Sequence, residues 1–166
     1  MNKSDHEILE QRARELATPI SETVSLAQFT EVISFRIGDE SFAIETQFVR
    51  EVLRAPEITF VPNSPSFLLG VSALRGTVLA VMDIGEFLHA RNRQTKCPWL
   101  LVVGTDSPNF GMAVESVDDV SMFSNSAMLP PASESNQHGF IKAVTSDAIT
   151  ILDGEQLLSS TVLDVS

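Results

Sequence analysis

The sequence contains few of the residues that metal sites and nucleophilic catalysis require. It has one cysteine, Cys97, and three histidines, His6, His89 and His138. A single cysteine cannot close an intrachain disulfide, and zinc sites need cysteine or histidine ligands in close pairs. His89 and His138 lie in polar connectors, and no histidine forms a recognisable pair with a nucleophile. We therefore expect no catalytic residue, no metal and no cofactor.

The loops that bind phosphate or calcium are also missing. Gly38 and Gly104 follow strand-like runs, but they lack the further glycines and the lysine of a phosphate-binding loop, so we interpret both as hairpin turns. The acidic stretches at 118–119 and 153–155 do not have the spacing of a calcium-binding loop, and we interpret them as solvated turn acids. ATPase, phosphotransfer and hydrolytic activities are not expected.

Positive charge is scarce. Eleven Lys and Arg stand against 22 Asp and Glu, which gives a formal net charge of −11. Such a chain is repelled by nucleic acid and by anionic membranes unless its cations cluster. The one cluster, Arg91, Arg93 and Lys96, lies in a polar stretch that we interpret as a solvated connector. No apolar run approaches the ~20 residues of a membrane helix, and the N-terminal segment lacks a signal-peptide core. We expect a cytoplasmic protein without nucleic-acid partners or membrane insertion.

The chain has enough apolar material for a real core, since 43% of its 166 residues are hydrophobic. Ser4 and Glu7 form a capping-box pattern, and apolar residues then recur at helical spacing until Pro19 ends the run. We divide the chain into an N-terminal helix and linker at 1–28, a main domain at 29–160 and a C-terminal tail at 161–166.

The main domain has the period-two apolar alternation of β-strands. Ile33, Phe35 and Ile37 share a face, and the turn chemistry at 38–40 predicts a hairpin. Residues 47–53 carry apolar side chains at helical spacing and predict a short helix. About nine or ten short strands without long helices between them favour an antiparallel barrel or sandwich. The further predicted strands are 68–74, 77–83, 99–103, 110–117, 120–123, 140–144 and 149–152.

The main domain also contains an internal similarity. The pattern of 42–52 recurs 68 residues later at 110–120, and that of 81–88 recurs 70 residues later at 151–158. Either the domain is a duplication of two units of about 60 residues, or two common hydrophobic patterns match by chance. If it is a duplication, each unit is small, and two barrels would pack together over a shared apolar seam.

Several segments resemble CheW-like domains, in the same order along the chain. The match covers roughly residues 30 to 160. The segments are ISFRIGDESFAI (33–44, their opening hairpin), VREV (49–52, their short helix), PNSP (62–65), LGV (69–71), LRG (74–76), VMD (81–83), FGMAV (110–114) and ILD (151–153) with LL (157–158). The resemblance implies an all-β protein with short helices, built from two SH3-like five-stranded β-barrels packed together.

The resemblance also implies a function. CheW-like proteins are non-enzymatic adaptors that couple the cytoplasmic tip of a methyl-accepting chemoreceptor to a CheA-type histidine kinase. Ala73 and Ala80 stand where the family often has Asn and Pro, which leaves open whether the pathway controls flagella, pili or another output. Two other hypotheses are a sensory barrel that binds a small ligand in the groove between the barrels, and a hydrolase. The sequence contains no recognisable catalytic residues that would support the hydrolase.

The resemblance also assigns a partner-binding site. Glu51 and Arg75 are similar to positions that face one another beside the receptor-binding groove of CheW-like proteins. The other candidates are Val49, Val52, Leu74 and Gly76. The alternative is that the apolar residues are ordinary core and that the two charges form an incidental surface pair.

Overall fold

The computed structural model describes residues 28–54, 56–93, 96–134, 136 and 139–160. The predicted N-terminal helix, its linker as far as residue 27 and the C-terminal tail lie outside these residues. No helix among the described residues is long and apolar enough to cross a membrane.

The regular secondary structure of the described residues is mostly β-strand. This part of the chain also has two short α-helices, and single turns of 3₁₀ helix occur at Thr46–Phe48 and Asn125–Ala127. The strands are β1 (Phe29–Ile37), β2 (Glu40–Glu45), β3 (Val49–Arg54), β4 (Leu68–Leu74), β5 (Thr77–Asp83), β6 (Trp99–Val103), β7 (Phe110–Val114), β8 (Ser116–Ser124), β9 (Met128–Leu129), β10 (Ile141–Thr145) and β11 (Ile149–Leu152), and the helices are α1 (Ile84–Phe87) and α2 (Gly154–Ser159).

The strands form two sheets. The first sheet has the order β8-β1-β2-β11-β10-β9, and the second has the order β3-β6-β7-β5-β4. Neighbouring strands are antiparallel except β2 with β11 and β5 with β7, which are parallel. The expected all-β fold of two small barrels is confirmed, with the two-residue β9 added to the first barrel as a sixth strand.

Each sheet takes strands from both halves of the sequence. The first sheet combines β1 and β2 with β8 to β11, and the second combines β3 to β5 with β6 and β7. The sequence repeat relates β2 to β7, β3 to β8 and β5 to β11, so the related units exchange strands. The boundary between the two sequence repeats is therefore not the boundary between the two barrels.

Both copies of the repeat have the same capping contacts at the start of an α-helix. The Asp83 carboxylate accepts a hydrogen bond from the Glu86 amide at 3.0 Å, and Asp153 accepts one from the Gln156 amide at 3.1 Å. The backbone amides of both aspartates donate to a phenylalanine carbonyl, of Phe67 and Phe140 respectively, at 2.7 Å in each case. This shared N-cap geometry supports duplication over chance matching.

The core has three parts because most central strands are buried on both faces. A central cluster between the sheets contains Phe35 and Ile44 from the first sheet, Met112 from the second, and Phe87 and Leu157 from the helices. The second sheet has its own cluster on its other face, Leu79, Val81, Leu100, Val102 and Ala113. The corresponding cluster of the first sheet is Val32, Ala43, Ala143 and Ile151. The central cluster is the shared seam expected for two packed barrels.

The prediction of a helix at 47–53 is wrong. Only Thr46–Phe48 forms a 3₁₀ turn, and Val49–Arg54 is β3, which pairs antiparallel with β6. The register shifts between Val49 and Glu51, so one extra residue stands on β3 at that point. Such a bulge changes the side-chain alternation locally and gives the apolar residues a spacing that resembles a helix.

The interpretation of the basic stretch as a solvated connector is wrong for Arg93. Its guanidinium bonds the Asp83 carboxylate at 2.8 Å and also pairs with Glu86, so it holds the first turn of α1. On the other side, the Arg91 carbonyl accepts a hydrogen bond from the Asp39 amide of the β1–β2 turn. A Cβ on Gly38 would lie 1.9 Å from that carbonyl. The connector therefore fastens the first sheet to the helix of the second.

Candidate partner-binding site

Arg75 and Gly76 form the turn between β4 and β5. Leu74 pairs with Thr77, which leaves a two-residue loop. Both loop residues have positive φ, 49° for Arg75 and 82° for Gly76. This is the type I′ geometry that suits a two-residue hairpin, and Asn, Asp and Gly are the residues that it prefers. A Cβ on Gly76 would meet nothing within 4 Å, so this glycine is required for its backbone conformation and not for space.

The turn brings the predicted charge pair together. The Arg75 Nη2 atom lies 2.9 Å from Glu51 Oε1. The arginine side chain is 78% exposed and the glutamate side chain 25% exposed. An ion pair as accessible as this contributes about 0–1 kcal/mol to stability.

The pair joins the two ends of the second sheet. Glu51 lies on β3, at one end of the strand order, and Arg75 follows β4, at the other end. Nearby, a bridge between Thr59 and Val71, whose backbone groups exchange two hydrogen bonds of 2.8 Å, holds the β3–β4 connection against β4. The exposed ion pair therefore links β3 to the β4–β5 turn on the side of the sheet where these two strands do not pair.

The apolar candidates lie in different surroundings. Val49 is half-buried against the central cluster, and Leu74 is half-buried against the cluster of the second sheet. Val52 is 37% exposed. It pairs with Leu101 of the central cluster, whereas Leu53 packs with the cluster of the second sheet. Because of the bulge, Val49 and Val52 share one face of β3, and Glu51 lies on the other.

The exposed face of β3 includes residues that the sequence prediction did not single out. Arg54 lies on the same face as Val52, and its guanidinium stands over the ring of Trp99 on β6 at 5.6 Å. Arg50 donates a hydrogen bond to the Thr105 carbonyl at 2.9 Å. Taken as a regular strand, VREVLR places Arg50, Val52 and Arg54 on one side and would have indicated this face. The helix prediction concealed it.

A cleft of about 370 Å³ lies beside the same edge. It is between the end of β3 and β4, on one barrel, and not in the groove between the barrels. Arg54, Glu57, Thr59 and Ser72 are among its lining residues. Pockets for small ligands are mostly apolar, and this lining is mixed.

The remaining reactive group is Cys97. Partial burial, followed by the negative charges of Asp83 and Glu115, raises the pKa of its thiol to about 11, and Arg93 partly opposes this rise. The thiol is therefore protonated at neutral pH and is a poor nucleophile. Among the described residues, no three His, Cys, Asp or Glu side chains converge on a possible metal position.

Comparison with known proteins gives a consistent family. "Probable chemotaxis protein CheW" of Rhizobium etli is 29% identical over 137 residues, which covers 79% of this chain and 88% of the relative. Protein FrzA of Myxococcus xanthus is 32% identical over 137 residues, with 78% and 86% covered.

A solved structure shares the fold. The scaffolding protein TtCheW from Thermoanaerobacter tengcongensis superimposes with a TM-score of 0.66 at 22% identity, over 75% of this chain and 88% of that one. The family model for the CheW-like domain matches residues 31–162, nearly all of the described domain. With its two interleaved barrels and this match, the chain belongs to the CheW-like family of chemotaxis scaffold and adaptor proteins.

Proposed function

We propose that this chain is a non-enzymatic cytoplasmic adaptor that couples the tip of a methyl-accepting chemoreceptor to a CheA-type histidine kinase. Family membership supports the adaptor role. The observation that supports a specific binding site is the conformation of Arg75.

Arg75 is poorly suited to its position if stability is its only purpose. A non-glycine residue held at positive φ costs on the order of 1 kcal/mol. The exposed pair with Glu51 contributes about 0–1 kcal/mol, which at best offsets that cost. Arg75 gives no net gain in stability at this position, and it presents an exposed guanidinium at a barrel edge, which supports a role in recognition.

The receptor contact is assigned to the edge formed by β3 and the β4–β5 turn. Val52 provides exposed apolar surface, and Val49 supports it from the central cluster. Leu74, Arg75 and Gly76 lie on the other side of this edge, where Glu51 holds the arginine on the opposite face of β3 from Val52. An amphipathic helix packs its apolar side chains into such a surface and pairs its charges at the rim. A helical receptor tip is the matching ligand.

Reconstitution tests the proposal directly. A receptor fragment that contains the helical tip and a CheA-type kinase, both from the same organism, are combined with and without the chain. We expect the chain to sediment with both proteins and to raise kinase autophosphorylation about fivefold or more, the range of ordinary allosteric coupling. Failure of the chain to bind either protein would exclude the adaptor role.

The alternative of a small-ligand sensor receives little support from the cleft. Its lining mixes polar and apolar residues, and it lies at a single barrel edge. Calorimetric titration of the same preparation with pooled metabolites separates the two functions, because an adaptor shows no saturable heat without its protein partners.

A further inference from the structure

The first sheet ends in a strand with exposed apolar side chains. Among the described residues, β8 pairs with β1 alone. Val120 and Met122 of β8 are 54% and 49% exposed, and Phe29 of β1 is 40% exposed. Phe29 pairs with Ser124, which alternates with Met122 and Val120 along β8, so the three apolar side chains share a face. A long edge strand of this kind invites contact with another chain.

The second sheet has an equivalent edge strand. In the described part of the chain, β3 pairs with β6 alone, and its Val52 is 37% exposed. The sequence repeat relates β3 to β8 and Val52 to Val120. Each barrel therefore presents a strand that pairs on one side only and carries an exposed valine at the same position of the repeat.

The two edge strands carry opposite charges. The repeat places Asp118 of β8 where β3 has Arg50. Asp119 of β8 and Arg54 of β3 are exposed as well. None of these four side chains forms an ion pair with another described residue. We term the exposed side chains of β8, with Phe29, the β8 edge, and those of β3 the β3 edge. The β8 edge is acidic, and the β3 edge is basic.

The charge of the whole chain is divided in the same sense. The segments of the first barrel, 28–48 and 115–160, contain eleven Asp and Glu and two Lys and Arg, which gives a net charge of −9. The segment of the second barrel, 49–114, contains five and six, which gives +1. Two first barrels would repel each other, whereas a first barrel and a second barrel would not. The charges therefore favour a contact between unlike edges over a two-fold contact between like ones.

We propose that this chain associates head to tail, with the β8 edge of one copy against the β3 edge of the next. An antiparallel contact that sets Val52 opposite Val120 also brings Arg54 to the aspartates at 118–119. The contact is heterologous, so each added copy leaves one edge of either kind open for a further copy. The inference does not depend on the proposed receptor contact, although both use Val52, and its test contains this chain alone.

Charge-exchanged variants test the contact by sedimentation equilibrium. R50D/R54D makes the β3 edge acidic, and D118R/D119R makes the β8 edge basic. At about 1 mM, a concentration that occupies even weak contacts, the unmodified chain should have a weight-average mass about twofold that of one chain or more. Either variant alone should sediment as a monomer, because like charges then meet at the contact. An equimolar mixture should regain the mass of the unmodified chain, since every edge again finds an edge of opposite charge.

A matched variant controls for the change in net charge. E134R/D147R makes the same change at two exposed acids of the first barrel outside β8, and it should associate as the unmodified chain does. Thermal unfolding by circular dichroism checks that each variant is folded. If R50D/R54D is destabilised, R54D alone replaces it, because that variant keeps the hydrogen bond from Arg50 to the Thr105 carbonyl.

Three results would overturn the proposal. The first is an unmodified chain that remains monomeric at about 1 mM, the concentration at which even weak contacts are occupied. The second is association of a folded R50D/R54D or R54D variant by itself, because the contact would then not involve the β3 edge. The third is an equimolar mixture of the two charge-exchanged variants that remains monomeric.

Discussion

At the scale of single residues, a substitution of Arg75 should reduce receptor recognition without reducing stability. Asn is better suited than Arg to its positive φ, so R75N should leave the melting temperature unchanged or raise it slightly, by the equivalent of about 0.5 kcal/mol. The same substitution should reduce receptor-dependent kinase activation, because the guanidinium is lost. Thermal unfolding and the reconstituted kinase assay measure the two effects.

The partner of Arg75 can be tested by charge exchange. R75E should reduce coupling more than R75N, since it places two carboxylates together at the barrel edge. Adding E51R should restore part of the loss if the 2.9 Å contact orients the arginine for binding. K96E, a charge reversal at an exposed position of the connector, serves as the control. Unchanged coupling in R75N and R75E would exclude this edge as the receptor site.

Cys97 provides a residue-scale prediction that depends on pH. A thiol whose pKa is raised from 9.0 to about 11 holds about 100-fold less thiolate near pH 8. Alkylation by iodoacetamide should therefore be slower than in the unfolded chain by about that factor. The folded state binds the thiol proton more tightly, so this group's contribution to stability is complete below pH 9 and is lost as the pH rises towards 11. Equal alkylation rates in folded and urea-unfolded protein would contradict this.

At the scale of elements, the two helix N-caps are a matched pair. D153A should cost about 1 kcal/mol through loss of the cap, and D153N only a few tenths, because the amide oxygen still accepts from Gln156. D83N should cost more than D153N, since Asp83 also carries the ion pair with the partly buried Arg93. Urea denaturation of the two Asn variants measures the difference. Equal losses would show that Arg93 does not stabilise α1.

At the scale of the whole molecule, the exchange of strands predicts a single cooperative unit. Residues 28–93 and 96–160 each contain only part of each sheet, so neither fragment alone should show a cooperative thermal transition. Mixing the two fragments should restore β-structure, because together they supply every strand. Circular dichroism of each fragment and of the mixture is the measurement. Independent cooperative folding of either fragment would contradict the interleaved architecture.

Much of the fold follows from local sequence. Hairpins such as 33–44 and 68–83 are predictable because side chains alternate and because Gly38 and Gly76 occupy positions that require positive φ. Runs such as WLLVV and FGMAV are apolar throughout because β6 and β7 are buried on both faces. The repeat was also recognisable, because both halves contain the same apolar pattern and the same capping aspartate.

Tertiary structure alone decided the rest. The bulge at Val49 to Glu51 and the assignment of β3 as a strand depend on pairing with β6, which lies about 50 residues away and leaves no local mark. The role of Arg93 likewise depends on how the connector returns to α1. The resemblance, and not the pattern of residues, suggested that Glu51 and Arg75 meet, and only the closure of the second sheet brings them within 2.9 Å. Local sequence determines conformations over a few residues, whereas contacts between distant strands depend on which faces the whole chain can bury together.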